Sequence, residues 1–257
     1  MYFDSHCHLY MEDFNDDREA VVARARAAGV VGMVFIGYSL DSSRRAVELA
    51  ETLDGSYAAV GIHPHDAKNG SPAAWEELTA LARSSQRVVA IGETGLDYYR
   101  DFSPRQVQGA GFRAQLGLAR ALDLPVVVHD RDAHEDTMRI LAEDGEGLSI
   151  ILHCFSGDRA MAKEAWARGY STGVSGPVTY PTAEPLRALL REAPRDRILI
   201  ETDAPYLAPQ RFRGGRCEPA HVVHAAEQLA ALWGTTPEEV GQLTTATARR
   251  IYRLPAT

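Results

Sequence analysis

Cysteine is scarce in this chain: only Cys7, Cys154 and Cys217 occur in 257 residues, an odd set with no Cys-x-x-Cys spacing. Such a set reads as reduced thiols in a cytoplasmic protein, not as a disulfide framework. Long apolar runs are missing too. No stretch approaches the roughly 18 residues of a membrane-spanning helix. The start, Met1-Tyr2-Phe3-Asp4, lacks the basic stretch and apolar core of a signal peptide, so none is expected. An excess of positive charge is absent: the formal net charge is −8. That excludes a broad basic face for gripping duplex DNA, which needs clustered Lys and Arg. It leaves a nucleic-acid substrate open, because bound divalent cations would make a site locally positive. Low-complexity tracts, long linkers and internal repeats are also lacking.

What remains has ordinary globular proportions, 45% hydrophobic and 24% charged. A chain of 257 residues buries most of its apolar surface as one large α/β unit, so residues 1–257 are expected to form one domain. Short apolar runs alternate with segments of helical periodicity. Strands are expected at 2–4, 30–36, 57–60, 88–91, 125–129, 149–152, 170–173 and 198–200. Helices are expected at 18–28, 42–52, 73–82, 103–121, 133–144, 159–168, 184–192, 220–232 and 237–251. Gly29 stops the first helix. Hydroxyl residues suit the N-terminus of the second, and Ser71-Pro72 and Ser103-Pro104 each read as an N-cap followed by proline. About eight βα units with continuously apolar strands imply parallel strands buried on both faces, and favour a (β/α)8 TIM barrel. An open doubly wound sheet is the alternative; the absence of Gly-x-Gly-x-x-Gly after the first strand counts against it.

The polar residues are placed non-randomly. His6 and His8 follow the first strand, His63 and His65 the third, and Glu93 the fourth. His129 ends the fifth, His153 the sixth, and Asp203 follows the eighth. In a barrel, all these C-terminal strand ends converge on one face. Residues two apart in an extended chain point the same way, so the His6 and His8 imidazoles can reach one ion, and Cys7 should point away into packing. Imidazole and carboxylate together suit zinc, manganese or nickel. Glu93 or Asp203 could bridge to a second ion whose shell His129 and His153 complete. Taken singly, each group has a plainer role: Glu93 could cap a helix, and Asp203 could bond a turn before Pro205. Together those roles require several coincidences at equivalent strand ends. His134, the His221/His224 pair and the acidic run at Glu12, Asp13, Asp16 and Asp17 read as surface.

The segments Asp4-Ser5-His6-Cys7-His8-Leu9, Gly61-Ile62-His63-Pro64-His65, Gly92-Glu93-Thr94-Gly95-Leu96-Asp97-Tyr98, Val128-His129-Asp130-Arg131, Leu152-His153-Cys154-Phe155-Ser156-Gly157 and Glu201-Thr202-Asp203-Ala204-Pro205-Tyr206-Leu207 together resemble the TatD-type deoxyribonucleases, which are amidohydrolase-like metal-dependent hydrolases. The resemblance runs in order over nearly the whole chain, and the His-x-His start places it with the His-x-His-bearing branch. It implies a barrel holding two divalent ions (Mg, Mn, Zn or Ni). His6, His8, Glu93 and Asp203 would be ligands of the first. Glu93, as the bridge, would join His129 and His153 on the second. His63 and Glu201 match positions proposed to contact substrate phosphate or a further metal. The family's reported activity is trimming single-stranded DNA or RNA from the 3′ end; some members are associated with removing D-amino acids from tRNA. One departure stands out. Where the family commonly has Arg-Gly-Lys-Arg-Asn-Glu-Pro, this chain has Arg213-Gly214-Gly215-Arg216-Cys217-Glu218-Pro219, losing a positive charge at Gly215 and an amide at Cys217.

The expected function is therefore hydrolysis of phosphodiester bonds in single-stranded nucleic acid by a hydroxide that two metals activate. Asp203 would orient the nucleophile and move its proton, with Glu93, His63 and Glu201 completing the catalytic group. Candidate substrate contacts are His63, His65, Arg131, Arg213 and Arg216 for phosphate and Tyr98 and Tyr206 for base stacking. The alternative is hydrolysis of a small ester, amide or aminoacyl bond. A non-catalytic barrel is disfavoured, since a scaffold has no need of costly polar groups at its mouth. No protein partner or membrane is implied, and a monomer is expected.

Overall fold

The computed structural model describes residues 1–255. Eight strands, β1 (Tyr2–Cys7), β2 (Val30–Ile36), β3 (Ser56–Val60), β4 (Val88–Asp97), β5 (Val126–Arg131), β6 (Ile150–Leu152), β7 (Ser171–Val174) and β8 (Ile198–Ile200), pair in parallel in chain order. Helices α1 (Arg18–Ala27), α2 (Leu40–Thr52), α3 (Pro72–Ser84), α4 (Arg105–Leu122), α5 (His134–Asp144), α6 (Arg159–Ala167), α7 (Glu184–Glu192), α8 (Val222–Trp233) and α9 (Pro237–Ile251) follow them. The expected TIM barrel is the observed architecture.

Helix starts follow capping chemistry with two corrections. Ser71 accepts a hydrogen bond from the third residue of its helix, ahead of a proline, as the sequence suggests, and Thr236 does the same at the start of α9. The α2 cap, however, is Ser39, and Ser42 closes a capping box with it three residues in. Ser103 caps nothing. α4 starts two residues later, and the Ser103 hydroxyl instead donates to the His65 carbonyl (2.9 Å) and accepts the Lys68 N–H (3.2 Å).

Inside the barrel, Phe3, Val34, Ile36, Ala59, Ala90, Val127, Ile151 and Leu199 pack together, closed below by Ala248 and Ile251 of α9 and by Tyr252. Their strand neighbours Met33, Phe35, Ala58, Val60, Val126, Val128, Ile150 and Leu152 face the helices. This period of two carries His129 and His153 inward directly, two residues beyond Val127 and Ile151. β1 and β4 do not obey it. Continuing from Phe3, alternation would send Cys7 inward, yet the register of β1 slips between Asp4 and Cys7 and Cys7 packs outside. In β4 the register slips between Ile91 and Thr94, so Glu93 and Asp97 turn inward while Thr94 bonds Gln115 of α4 and Leu96 joins the outer core. One extra residue in a strand reverses the facing of everything after it, so these irregularities aim His6, His8 and Glu93 at the barrel axis. Glycine makes the β4 turn-in feasible: Gly92 has φ +146°, and a Cβ there would lie 2.6 Å from the Val127 carbonyl oxygen. β1 and β4 therefore outrun their expected ends at residues 4 and 91, because the functional residues continue the strand as buried polar groups where the apolar run stops.

Among the described residues no ladder joins β8 back to β1. The seam is instead sewn by individual bonds. Asp203 N–H donates to the His6 carbonyl (2.9 Å) and His8 N–H to the Ala204 carbonyl (2.7 Å). The Ser5 hydroxyl donates to the Ile200 carbonyl (3.1 Å). Buried Asp4 accepts the Thr202 N–H (2.9 Å) and hydroxyl (2.6 Å). Removing that hydroxyl leaves a buried carboxyl oxygen without its donor. Thr202→Val should cost about 1–3 kcal/mol of unfolding free energy, read as a lowered midpoint in urea. An unchanged midpoint would mean that the seam does not depend on Asp4.

Candidate active site

Six strand ends deliver their polar residues to one place. Glu93 is at its centre. One of its oxygens lies 2.8 Å from His129 Nδ1, 2.8 Å from His153 Nε2 and 3.6 Å from His63 Nε2. The other lies 3.5 Å from His6 Nε2. Asp203 Oδ1 sits 3.4 Å from His6 Nε2 and 3.3 Å from His8 Nε2. The His6 and His153 rings stack with centroids 3.9 Å apart. Three overlapping ligand sets result: His6, His8 and Asp203; His6, Glu93 and His153; and His63, Glu93 and His129.

Burial and charge settle the state of each group. Burial pulls the His6 and His63 pKa values down, helped by neighbouring His153 and His129 respectively, which keeps both imidazoles neutral with a lone pair to offer. Burial works against His153, His129 and His8 as well, but adjacent carboxylates outweigh it and raise all three. Glu93 resists burial because the surrounding histidines hold its carboxyl well below the usual range, and Asp203 is lowered in the same way.

The donor set fits a divalent cation. His6 Nδ1 and Nε2 are buried without a hydrogen-bond partner, although Glu93 and Asp203 oxygens stand 3.5 and 3.4 Å from Nε2. Buried imidazole nitrogens in that situation are unsatisfied unless a cation lies between them and the carboxylates. His8 is oriented for the same purpose. Its Nδ1 donates to the Ile36 carbonyl (2.7 Å), leaving the Nε2 lone pair directed at Asp203. His63 is the reverse case: its Nδ1 accepts the His65 N–H (3.1 Å), so in the neutral ring the proton is on Nε2, aimed into the site. It is thus a donor facing Glu93, which suits a substrate contact better than a ligand role.

Comparison with known proteins agrees with this geometry. The family model described as TatD related DNase matches residues 3–253. The chain belongs to the TatD family. It is 43% identical to an uncharacterized metal-dependent hydrolase, YabD, of Bacillus subtilis, over 99% of this chain and 100% of that one. It is 40% identical to the 3′-5′ ssDNA/RNA exonuclease TatD of Salmonella typhimurium, over 98% and 99%. The crystal structure of the TatD homolog YJJV from Escherichia coli superposes with a TM-score of 0.93 at 32% identity, covering 99% of this chain and 98% of that one.

In this TatD-family chain, two buried carboxylates stand behind the histidines, and the sequence pointed to only one of them. Asp97 was not singled out as a functional residue, yet its Oδ2 lies 2.7 Å from His65 Nε2 and 3.3 Å from His129 Nε2, while Oδ1 accepts the N–H groups of Tyr99 (3.0 Å) and Arg100 (2.8 Å). The available signal was its spacing: Asp97 is four residues beyond Glu93, on the same face of a continuing strand. Glu201, expected in the catalytic group at a position matched to substrate phosphate or a further metal, is fully buried; it accepts the Cys154 N–H (2.5 Å) and lies 3.4 Å from His153 Nδ1. It therefore stands behind His153, out of reach of a substrate.

Three surface expectations change. The Tyr98 hydroxyl donates to Asp136 (2.7 Å) and Arg105 covers its ring, so it faces α4 and α5 instead of the mouth. Arg216 is held bidentately by Asp17 (2.8 and 2.7 Å) and also bonds Glu218 (3.0 Å), which withdraws it from phosphate binding. By the same contacts Asp17 is a structural anchor and not part of a merely solvated acidic run; the Arg216 and Arg24 guanidinium groups bring its carboxyl down to about 2. Tyr206 does stand at the mouth, its ring 6.2 Å from His8, and Arg131 and Arg213 are exposed there, stacked on Tyr99 and Tyr180. His65 lies at the edge against Phe102. His221 stacks on Phe212, and His224 pairs with Glu227 (2.7 Å). All three cysteines are free; Cys217 is buried under the loop after β8, so its departure from the family pattern is not offered to a substrate, whereas Gly215 is exposed.

Because Asp97 orients His129, Asp97→Asn should weaken binding of a divalent ion such as Mn²⁺ about 10- to 100-fold, measured by competition with a chromogenic chelator. The asparagine oxygen can still accept from Tyr99 and Arg100. Affinity within twofold of wild type would remove Asp97 from the metal-positioning group.

Proposed function

We propose that this chain is a divalent-metal-dependent 3′ exonuclease acting on single-stranded nucleic acid. The observation that carries the reading is the shared Glu93 carboxylate, flanked by His6, His8 and Asp203 on one side and His129 and His153 on the other. That arrangement supports two ions, the first on His6, His8 and Asp203, the second on His129 and His153, with Glu93 common to both. Divalent ions bound there would supply an activated water and neutralise phosphate charge.

The protein groups do the rest. Asp203 is ionised and, with 14% of its side chain exposed, is more open than Glu93. It is the acceptor for the attacking water's proton as the new P–O bond forms, and it returns that proton to the departing sugar oxygen, which leaves as an alcohol when the ester P–O bond breaks. His63 directs its Nε2–H at the same space and donates to a phosphate oxygen as charge builds there. His65, held by Asp97, and Tyr206 flank the entrance. The relatives named as 3′-5′ ssDNA/RNA exonucleases support this substrate class. The candidate ligand set is complete without a partner's residues, and we propose a single-domain monomer as the working unit.

With Mn²⁺ or Mg²⁺ loaded, single-stranded DNA labelled at its 5′ end should shorten stepwise from the 3′ end. Glu93→Ala should abolish the ladder, and His63→Ala should lower kcat about 10²- to 10³-fold. Intact DNA alongside hydrolysis of aminoacyl or lactone esters would replace the reading with carbonyl chemistry. Light scattering after size-exclusion chromatography should give one chain's mass, 28.1 kDa; a dimer mass would overturn the monomer assignment.

A further inference from the structure

The segment between β4 and α4 forms one lip of the mouth and exposes two aromatic rings there. Phe102 and Tyr99 are each 58% exposed, the most open aromatic side chains of the described residues. Neither is loose. The Phe102 ring sits edge-on to His65 (centroids 4.9 Å apart), and His65 in turn contacts His63 at 4.2 Å. Phe102 is thus two rings from the histidine that faces Glu93. Tyr99 carries the Arg131 guanidinium on its face at 4.1 Å and Arg100 at 5.4 Å. Asp97, buried beneath, fixes the base of the lip through the N–H groups of Tyr99 and Arg100.

The cations here carry no carboxylate partner. Arg105, Arg113, Arg139 and Arg159 on the outer helices are ion-paired, whereas Arg100 and Arg131 make no ion pair among the described residues. Exposed rings interleaved with unpaired guanidinium groups match the chemistry of a single strand: π faces for unstacked bases and cations for the phosphates between them. Duplex DNA offers no free base faces. With a net charge of −8 the protein cannot rely on long-range attraction, so stacking has to contribute a large share of the grip.

Building on the exonuclease reading, we infer that Phe102 and Tyr99, with Arg100 and Arg131, form a base-stacking subsite for nucleotides of the single strand beside the scissile phosphate, across the metal-ligand cluster from Tyr206. The test is equilibrium binding, by fluorescence anisotropy, of a labelled oligothymidylate and of the same oligonucleotide with abasic residues at its three 3′-terminal positions. Phe102→Ala should weaken binding of the base-carrying strand about tenfold and leave the abasic strand unchanged, while Phe102→Tyr should bind like wild type. In cleavage assays the loss should appear in KM with kcat retained.

Equal effects on both strands, or none on either, overturn the subsite. If oligothymidylate binds with this dependence but is never shortened, the subsite stands and the exonuclease reading falls. If it is shortened as expected while affinity ignores Phe102 and Tyr99, the reverse holds. A strand neither bound nor cut defeats both.

Discussion

A single ionised carboxylate buried among imidazoles governs this structure. Glu93 is nearly out of solvent, and an unpaired charge in such a place would not survive. Its tolerance depends on histidines arriving from β1, the end of β3, β5 and the end of β6. Each must reach the same few ångströms, and that requirement sets the backbone around it. The register slips in β1 and β4, and the glycine beside Val127, are what bring Glu93 and its partners to one point. Strand irregularities that would be faults in a purely structural barrel here do the aiming.

A second tier of buried carboxyl groups secures the first. Asp97 holds His65 and His129, Glu201 stands 3.4 Å behind His153 and accepts the Cys154 N–H, and Asp4 ties β1 to the end of β8 just beneath His6 and Asp203. Burial raises Asp4 to about 7, against the opposing hydrogen bonds from Thr202, so its anchoring role does not demand full charge near neutral pH. Asp97 instead is lowered, by His129 and by the Arg100 and His65 contacts, in spite of its burial. The site is rich in negative charge and imidazole, a combination that suits divalent ions and then an anionic substrate held through them.

The acidic exterior is consistent with that division of labour. Arg216, Arg24 and several outer-helix arginines, among them Arg105, Arg113 and Arg139, are occupied by carboxylates. At the mouth, exposed aromatic rings and unpaired guanidinium groups border the candidate metal-ligand cluster. This favours a flexible strand with open bases over a stiff duplex.

The order of apolar runs and helical segments was enough to determine the barrel, because parallel strands buried on both faces leave that pattern in one dimension. His6, His8, Glu93, His129, His153 and Asp203 were legible for the same reason: each interrupts an apolar run at the end of a strand. Tyr98 and Arg216 were misjudged, and Asp97 and Asp4 passed over, because facing and partnership are not properties of a residue's position along the chain. A slip of one residue in β4 decides that Asp97 points inward, while the adjacent Tyr98 turns out toward Asp136. A carboxylate 199 positions away in sequence, Asp17, decides that Arg216 is unavailable. The sequence thus determined the barrel and the candidate ligand residues by local periodicity and residue chemistry. Only the tertiary structure decided which side chains share a space, because strand register and long-range charge pairing arise when distant segments pack.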